Sequence, residues 1–179
     1  MRINVIQISL ICLFLIGSVL SIVLIGNLNS KQPQYNPQPH ADWDTYTFEQ
    51  YINEEADLVA FVTVQKVEDK KKINKDDLDA KLSTLQLDEI LFYKLPSTSL
   101  KNVVLDQATE FVQPGEKYLM FLTKKGEYFY EIGAEGKIKI NDGKFKTHIK
   151  GIEGEYTQEE FSKQFEVKVQ ELKESKSGN

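Results

Sequence analysis

The chain has 179 residues, 27 acidic side chains against 22 basic ones and a net charge of −5. One cysteine (Cys12) and two histidines (His40 and His148) exclude a cysteine-built zinc site and a multi-histidine centre within one chain. Arg2 is the sole arginine, and an acidic chain without a basic face is not expected to bind nucleic acid.

From Ile3 to Ser30 no residue is charged. A helix over residues 3–26 would be about 36 Å long, enough to cross a hydrocarbon core about 30 Å thick. A cleaved signal peptide has an apolar region of only about 7 to 15 residues, and this one is longer. Cleavage after the best small-x-small site, Val19-Leu20-Ser21, would leave the apolar IVLIG on the product, and Ile11 occupies the place before Cys12 where lipidation requires a small residue. Residues 1–26 are therefore expected to be a single-pass anchor that meets the lipid bilayer through residues 3–26. Arg2 and the amino terminus on one side, with Lys31 on the other, orient the N-terminus to the cytoplasm and the domain to the outside. Secretion after cleavage is the alternative.

Residues 27–43 hold Pro33, Pro37 and Pro39 among Asn and Gln, the composition of a spacer. The domain is expected over residues 44–174, followed by a disordered tail at 175–179. It opens with TYTFEQY, where Thr47 and Gln50 form a capping box and Tyr46 and Tyr51 stand at the staple positions. EYTQEEF repeats this grammar: Thr157 and Glu160 form the box, and Tyr156 faces Phe161. The second helix is expected to run to about Lys173, with Phe161, Phe165, Val169 and Leu172 on one stripe against the core.

Between the helices the pattern is strand and turn. LVAFVTVQKVE, LSTLQLDEILF, NVVLD, KYLMFLT, EYFYEI, GKIKI and GKFKTH are the expected strands. Hairpin turns are expected at Pro114-Gly115, Lys125-Gly126 and Asn141-Asp142-Gly143, the last with Ile138 and Ile140 facing Phe145. Six or seven short strands with too little helix for parallel crossovers predict a mainly β (β+α) fold: a small antiparallel barrel flanked by a short N-terminal helix and a longer C-terminal amphipathic helix. The external part has no cysteine, so its core rather than disulfides must hold it, as in a bacterial cell-surface protein.

In this order, EEADLVAFVTVQKVE, LQLDEILFYKL, VQPGEKYLMFLTKKGEY and the closing amphipathic helix resemble small exported or membrane-anchored proteins of Gram-positive bacteria. More distantly they resemble the OB-like barrel of netrin-type and metalloproteinase-inhibitor modules. The resemblance covers about residues 45–173 and implies an OB-like barrel. Inhibitor modules act through a free amino-terminal cysteine held by disulfides; this chain has neither, so inhibition does not carry over.

Catalytic patterns are thin. There is no G-x-S-x-G elbow, Cys12 falls within the anchor, and His148 sits at a strand end where a surface role outweighs that of a base. The carboxylate pairs Asp42/Asp44, Glu54/Glu55 and Glu159/Glu160 have glycosidase residue types, but acids in a first helical turn serve the helix dipole. NKDDLDA, residues 74–80, fails as an EF-hand because Leu78 and Leu85 stand at ligand positions; with KVEDKKKINK before it, it reads as a solvated loop. No metal or cofactor is implied. The remaining lead is aromatic. Strand alternation puts Phe129 on one face and both Tyr128 and Tyr130 on the other: a buried Phe129 would leave an outward tyrosine pair able to stack a ligand or peptide, and buried tyrosines would leave Phe129 exposed. Trp43 joins them as a candidate binding residue, either as a lid over one barrel end or at the spacer junction. The expected function is that of a non-catalytic binding module of the cell envelope whose partner is an envelope protein or peptide. A small envelope hydrolase and a protective factor against a toxin or peptide are the alternatives.

Overall fold

The computed structural model describes residues 43–72, 79–95 and 100–177. The expected anchor, nearly all of the spacer, and Asn74 to Leu78 of the acidic loop lie outside the described residues. Among the described residues no helix is long and apolar enough to cross a membrane.

The first helix, α1 (Phe48–Gln50), continues as a π-helical turn over Tyr51–Glu55. Its start follows the sequence closely: the Gln50 amide donates to Thr47 Oγ1, the Thr47 amide donates to Gln50 Oε1, and the Tyr46 and Tyr51 rings meet edge to face at 5.5 Å. Then come β1 (Leu58–Asp69), β2 (Lys81–Tyr93), β3 (Asn102–Gln107), β4 (Lys117–Lys125), β5 (Tyr128–Glu131), β6 (Lys137–Ile140), β7 (Lys144–Thr147) and β8 (Gly154–Thr157). The chain closes with α2 (Gln158–Ser177), whose Thr157/Glu160 capping box and Tyr156–Phe161 contact also form as expected. This helix extends three residues into the stretch expected as a disordered tail.

Five strands close on themselves in the order β1-β2-β3-β5-β4, with β4 returning to β1, while β6 continues from the other edge of β4. The barrel is mixed rather than purely antiparallel. Its closing pair, β3 with β5, runs parallel through Leu105 and Phe129, because the Pro114-Gly115 turn does not make a hairpin. That turn ends a connection from β3 to its non-neighbour β4 and docks on β1, where the Gly115 amide donates to the Val64 carbonyl. The Asn141-Asp142-Gly143 turn forms, with both central residues at positive φ and two hydrogen bonds between Asn141 and Lys144. Its strands then part: β6 joins β4 and β7 pairs with β8 in a separate two-stranded sheet, so Ile138 and Ile140 meet Phe145 by packing and not by strand pairing. Each flank of the turn has one buried face, carried by Ile138 and Ile140 in β6 and by Phe145 and Thr147 in β7.

Alternation along the barrel strands makes two cores. Leu58, Ala60, Val62 and Val64 of β1 point into the lumen with Leu85, Leu105, Met120, Leu122 and Phe129. Val59 and Phe61 point outward with Leu119 and Phe121, and this face is covered by α1, the β7–β8 hairpin and α2. Phe161 sits at the centre of that cover, with ring contacts to Phe61, Phe145, Tyr156 and Phe165. Tyr51 is fully buried, donates its hydroxyl to the Ile132 carbonyl at 3.0 Å, and is held by burial well above the ordinary tyrosine range. Because Phe161 joins the helix to the hairpin and the barrel at once, Phe161→Ala is expected to destabilise the fold by about 3–5 kcal/mol, read as a lowered denaturant midpoint with an unchanged slope.

Candidate functional site

Among the described residues, the opposite outer face of the barrel has no helix over it. Phe129 is buried in the lumen, so its neighbours Tyr128 and Tyr130 point outward and are half-buried. The β3–β5 pairing at Leu105 and Phe129 sets the outward residues of β3, Val104 and Asp106, beside them. Register continues the array to Leu82 and Thr84 on β2 and to Thr123 and Lys125 on β4.

Asp106 is the unusual member. It lies on an outer face yet is only 8 % exposed, and its Oδ2 accepts from the Tyr130 hydroxyl at 2.9 Å and from the Lys70 ammonium. Burying a carboxylate is costly unless it is paired, and these two donors offset the cost. Lys70 is the first residue past β1, where its amide bonds to the Ala80 carbonyl at 2.9 Å and closes the base of the loop. Its ammonium also stands 5.4 Å from the centroid of the Tyr128 ring, and Lys125 Nζ stands 5.8 Å from that of Tyr130. The Asp106 hydrogen bond holds the Lys70 ammonium above the ordinary lysine range, against the opposing effect of its partial burial. Tyr130 is also raised, first by burial and then by its bond to Asp106.

Sequence alternation therefore located the tyrosine pair but missed Asp106 and Lys70. An acid near the end of NVVLDQ and a lysine inside a charged run carry no local signal that they meet across 36 residues. Trp43 is half-buried next to Asp44, whose carbonyl accepts from the Ala134 amide in the loop after β5, so it belongs to the chain entrance at the opposite end of β5 from the β4–β5 turn. The other candidates have local duties or stand apart. Glu159 pairs with Lys163 at 2.7 Å, Glu160 caps Thr157, and His148 is exposed.

A groove runs between β2 and α2, where Ile90 is 42 % exposed. Register shifts that carry Asp88 and Leu91 break the adjoining part of β2, the usual protection of a strand edge. No protein-family model, curated protein or solved structure matches the chain.

The sign of the Lys70 shift fixes a pH dependence. A group whose folded value is raised contributes stability that is fully present below its unfolded value and is lost as pH rises through the folded one. Lys70→Met is therefore expected to lower the denaturant midpoint at neutral pH, with the gap to the native chain closing as pH rises above the ordinary lysine value of about 10.4. A gap that stays constant to the alkaline end would contradict the pairing.

Proposed function

We propose that the chain is a membrane-tethered, extracytoplasmic binding module of a bacterial cell envelope, built on an OB-like barrel and working without catalysis. The carrying observation is the outer face of β2, β3 and β5, which no described helix covers and where Tyr128 and Tyr130 flank a buried, paired Asp106 between the Lys70 and Lys125 side chains. Helix α1, the β7–β8 hairpin and α2 cover the other outer face, which leaves this one, among the described residues, for a partner. The strand order β1-β2-β3-β5-β4-β1 with a parallel closing pair supports the OB-like reading, since barrels of that type bind ligands on the face of strands 2 and 3 and on the loops after strands 1 and 4. Lys70 begins the first of those loops and Lys125 precedes the second. The apolar run over residues 3–26 and the proline-bearing spacer support a tether that holds this face away from the lipid.

Two experiments test this reading. When intact cells expressing the chain are treated with external protease, the domain is expected to be trimmed while a membrane fragment with the original amino terminus remains. A soluble product beginning near Ile22 or Lys31 would contradict the tether. Full-length protein in detergent, mixed with isolated wall sacculi and their attached proteins, is expected to co-sediment without releasing soluble wall fragments. Retention should fall on the order of tenfold or more in Tyr128→Ala/Tyr130→Ala, as expected when a pair of aromatic anchors is truncated. Fragment release, or retention unchanged by the double substitution, would contradict it.

A further inference from the structure

We infer that Asp106, Tyr128 and Tyr130 form a recognition site for a primary ammonium group, occupied in this structure by the chain's own Lys70, and that the incoming partner is a cationic peptide whose lysine side chain replaces Lys70. The inference deepens the proposed binding function and rests on it.

The chemistry of the site is that of ammonium recognition. A carboxylate accepts a charge-assisted hydrogen bond, an aromatic face meets the same cation, and a second tyrosine orients the carboxylate through its hydroxyl. The Asp106 side chain is 7 % exposed, whereas that of Lys70 is 39 % exposed, so the acceptor belongs to the barrel wall and the cation is laid on from outside. Lys70 stands beyond the end of β1, and withdrawing its side chain disturbs neither core cluster. An external ammonium restores the same pairing, so exchange leaves no buried charge unpaired. The chain's charge of −5 also favours approach of a cationic partner over an anionic one.

Lys70 then acts as a tethered competitor. Its local concentration is on the order of millimolar, and apparent affinity for the partner falls by the fraction of molecules in which the site is free. Removing the competitor should tighten binding, whereas an ordinary structural ion pair would give no such gain.

The test uses the full chain in detergent micelles, titrated with Nα-acetyl-lysine methylamide and followed through the amide resonances of Asp106 and Tyr130. The norleucine counterpart, which lacks the ammonium, is the control. Native protein should bind the lysine amide weakly, and Lys70→Ala should bind it on the order of tenfold more tightly. Lys70→Ala/Asp106→Asn should show no saturable shift, and the norleucine compound should move nothing. Lys70→Gln keeps most of the side-chain stem and serves as the second vacated variant, with unchanged resonances of Leu119 and Phe121 reporting an intact barrel. Affinity unchanged on vacating the site, equal binding of norleucine, or binding that survives loss of the Asp106 charge would each overturn the assignment. If the amide fails while sacculus retention still depends on Tyr128 and Tyr130, the ammonium site falls and the wider binding function stands. Failure of both removes the two together.

Discussion

Pairing of β1 on both edges is the constraint from which the rest of the molecule follows. Its first half is hydrogen-bonded to β2 on one side and to β4 on the other, and residues 58–62 are fully buried. Such a strand must be apolar on both faces, which LVAFV satisfies. One face then fills the lumen and the other demands a cover. The lumen side closes the barrel, and the outward side recruits α1, the β7–β8 hairpin and α2. Among the described residues, the far wall of the barrel, built from β2, β3 and β5, has no such cover; its outward residues mix Asp106, Thr84, Tyr128 and Tyr130 with Val104 and Leu82.

That asymmetry gives the polar face its character. On the covered side, aromatic rings meet one another in a contiguous cluster and contribute stability. On the open side the aromatic residues are tyrosines whose rings meet ammonium groups, and one tyrosine hydroxyl bonds a buried carboxylate. Burial of Asp106 beneath Lys70 concentrates charge at one point of the sheet and leaves the two rings as shoulders around it. A neutral fold would need only small polar groups there.

Local grammar was readable wherever a rule acts over a few residues. Both capping boxes, both aromatic staples, the strand runs and the placing of Phe129 opposite Tyr128 and Tyr130 followed from spacing alone, whereas which of those two faces lies inside did not. Features set by long-range competition were not legible. The parallel contact of β3 and β5 depends on β4 being taken up by β1, and the parting of β6 from β7 depends on two amphipathic strands finding different partners beyond a well-formed turn. β8 was hidden as well, because GEYT reads as the approach to a helix and is strand only through its pairing with β7. At the candidate site, the rings were visible in sequence and the carboxylate beside them was not, since Asp106 finds its partners in Tyr130 on another strand and Lys70 at the loop after β1.

The most direct measurement is hydrogen exchange along the full chain in the presence and absence of isolated wall sacculi with their attached proteins. The account predicts added protection concentrated at residues 102–107 and 128–131 and at the base of the loop after β1, with α2 and the β7–β8 hairpin unchanged. Added protection confined to α2 and its groove with β2, or spread evenly over the barrel, would contradict the assignment of the open face as the binding surface.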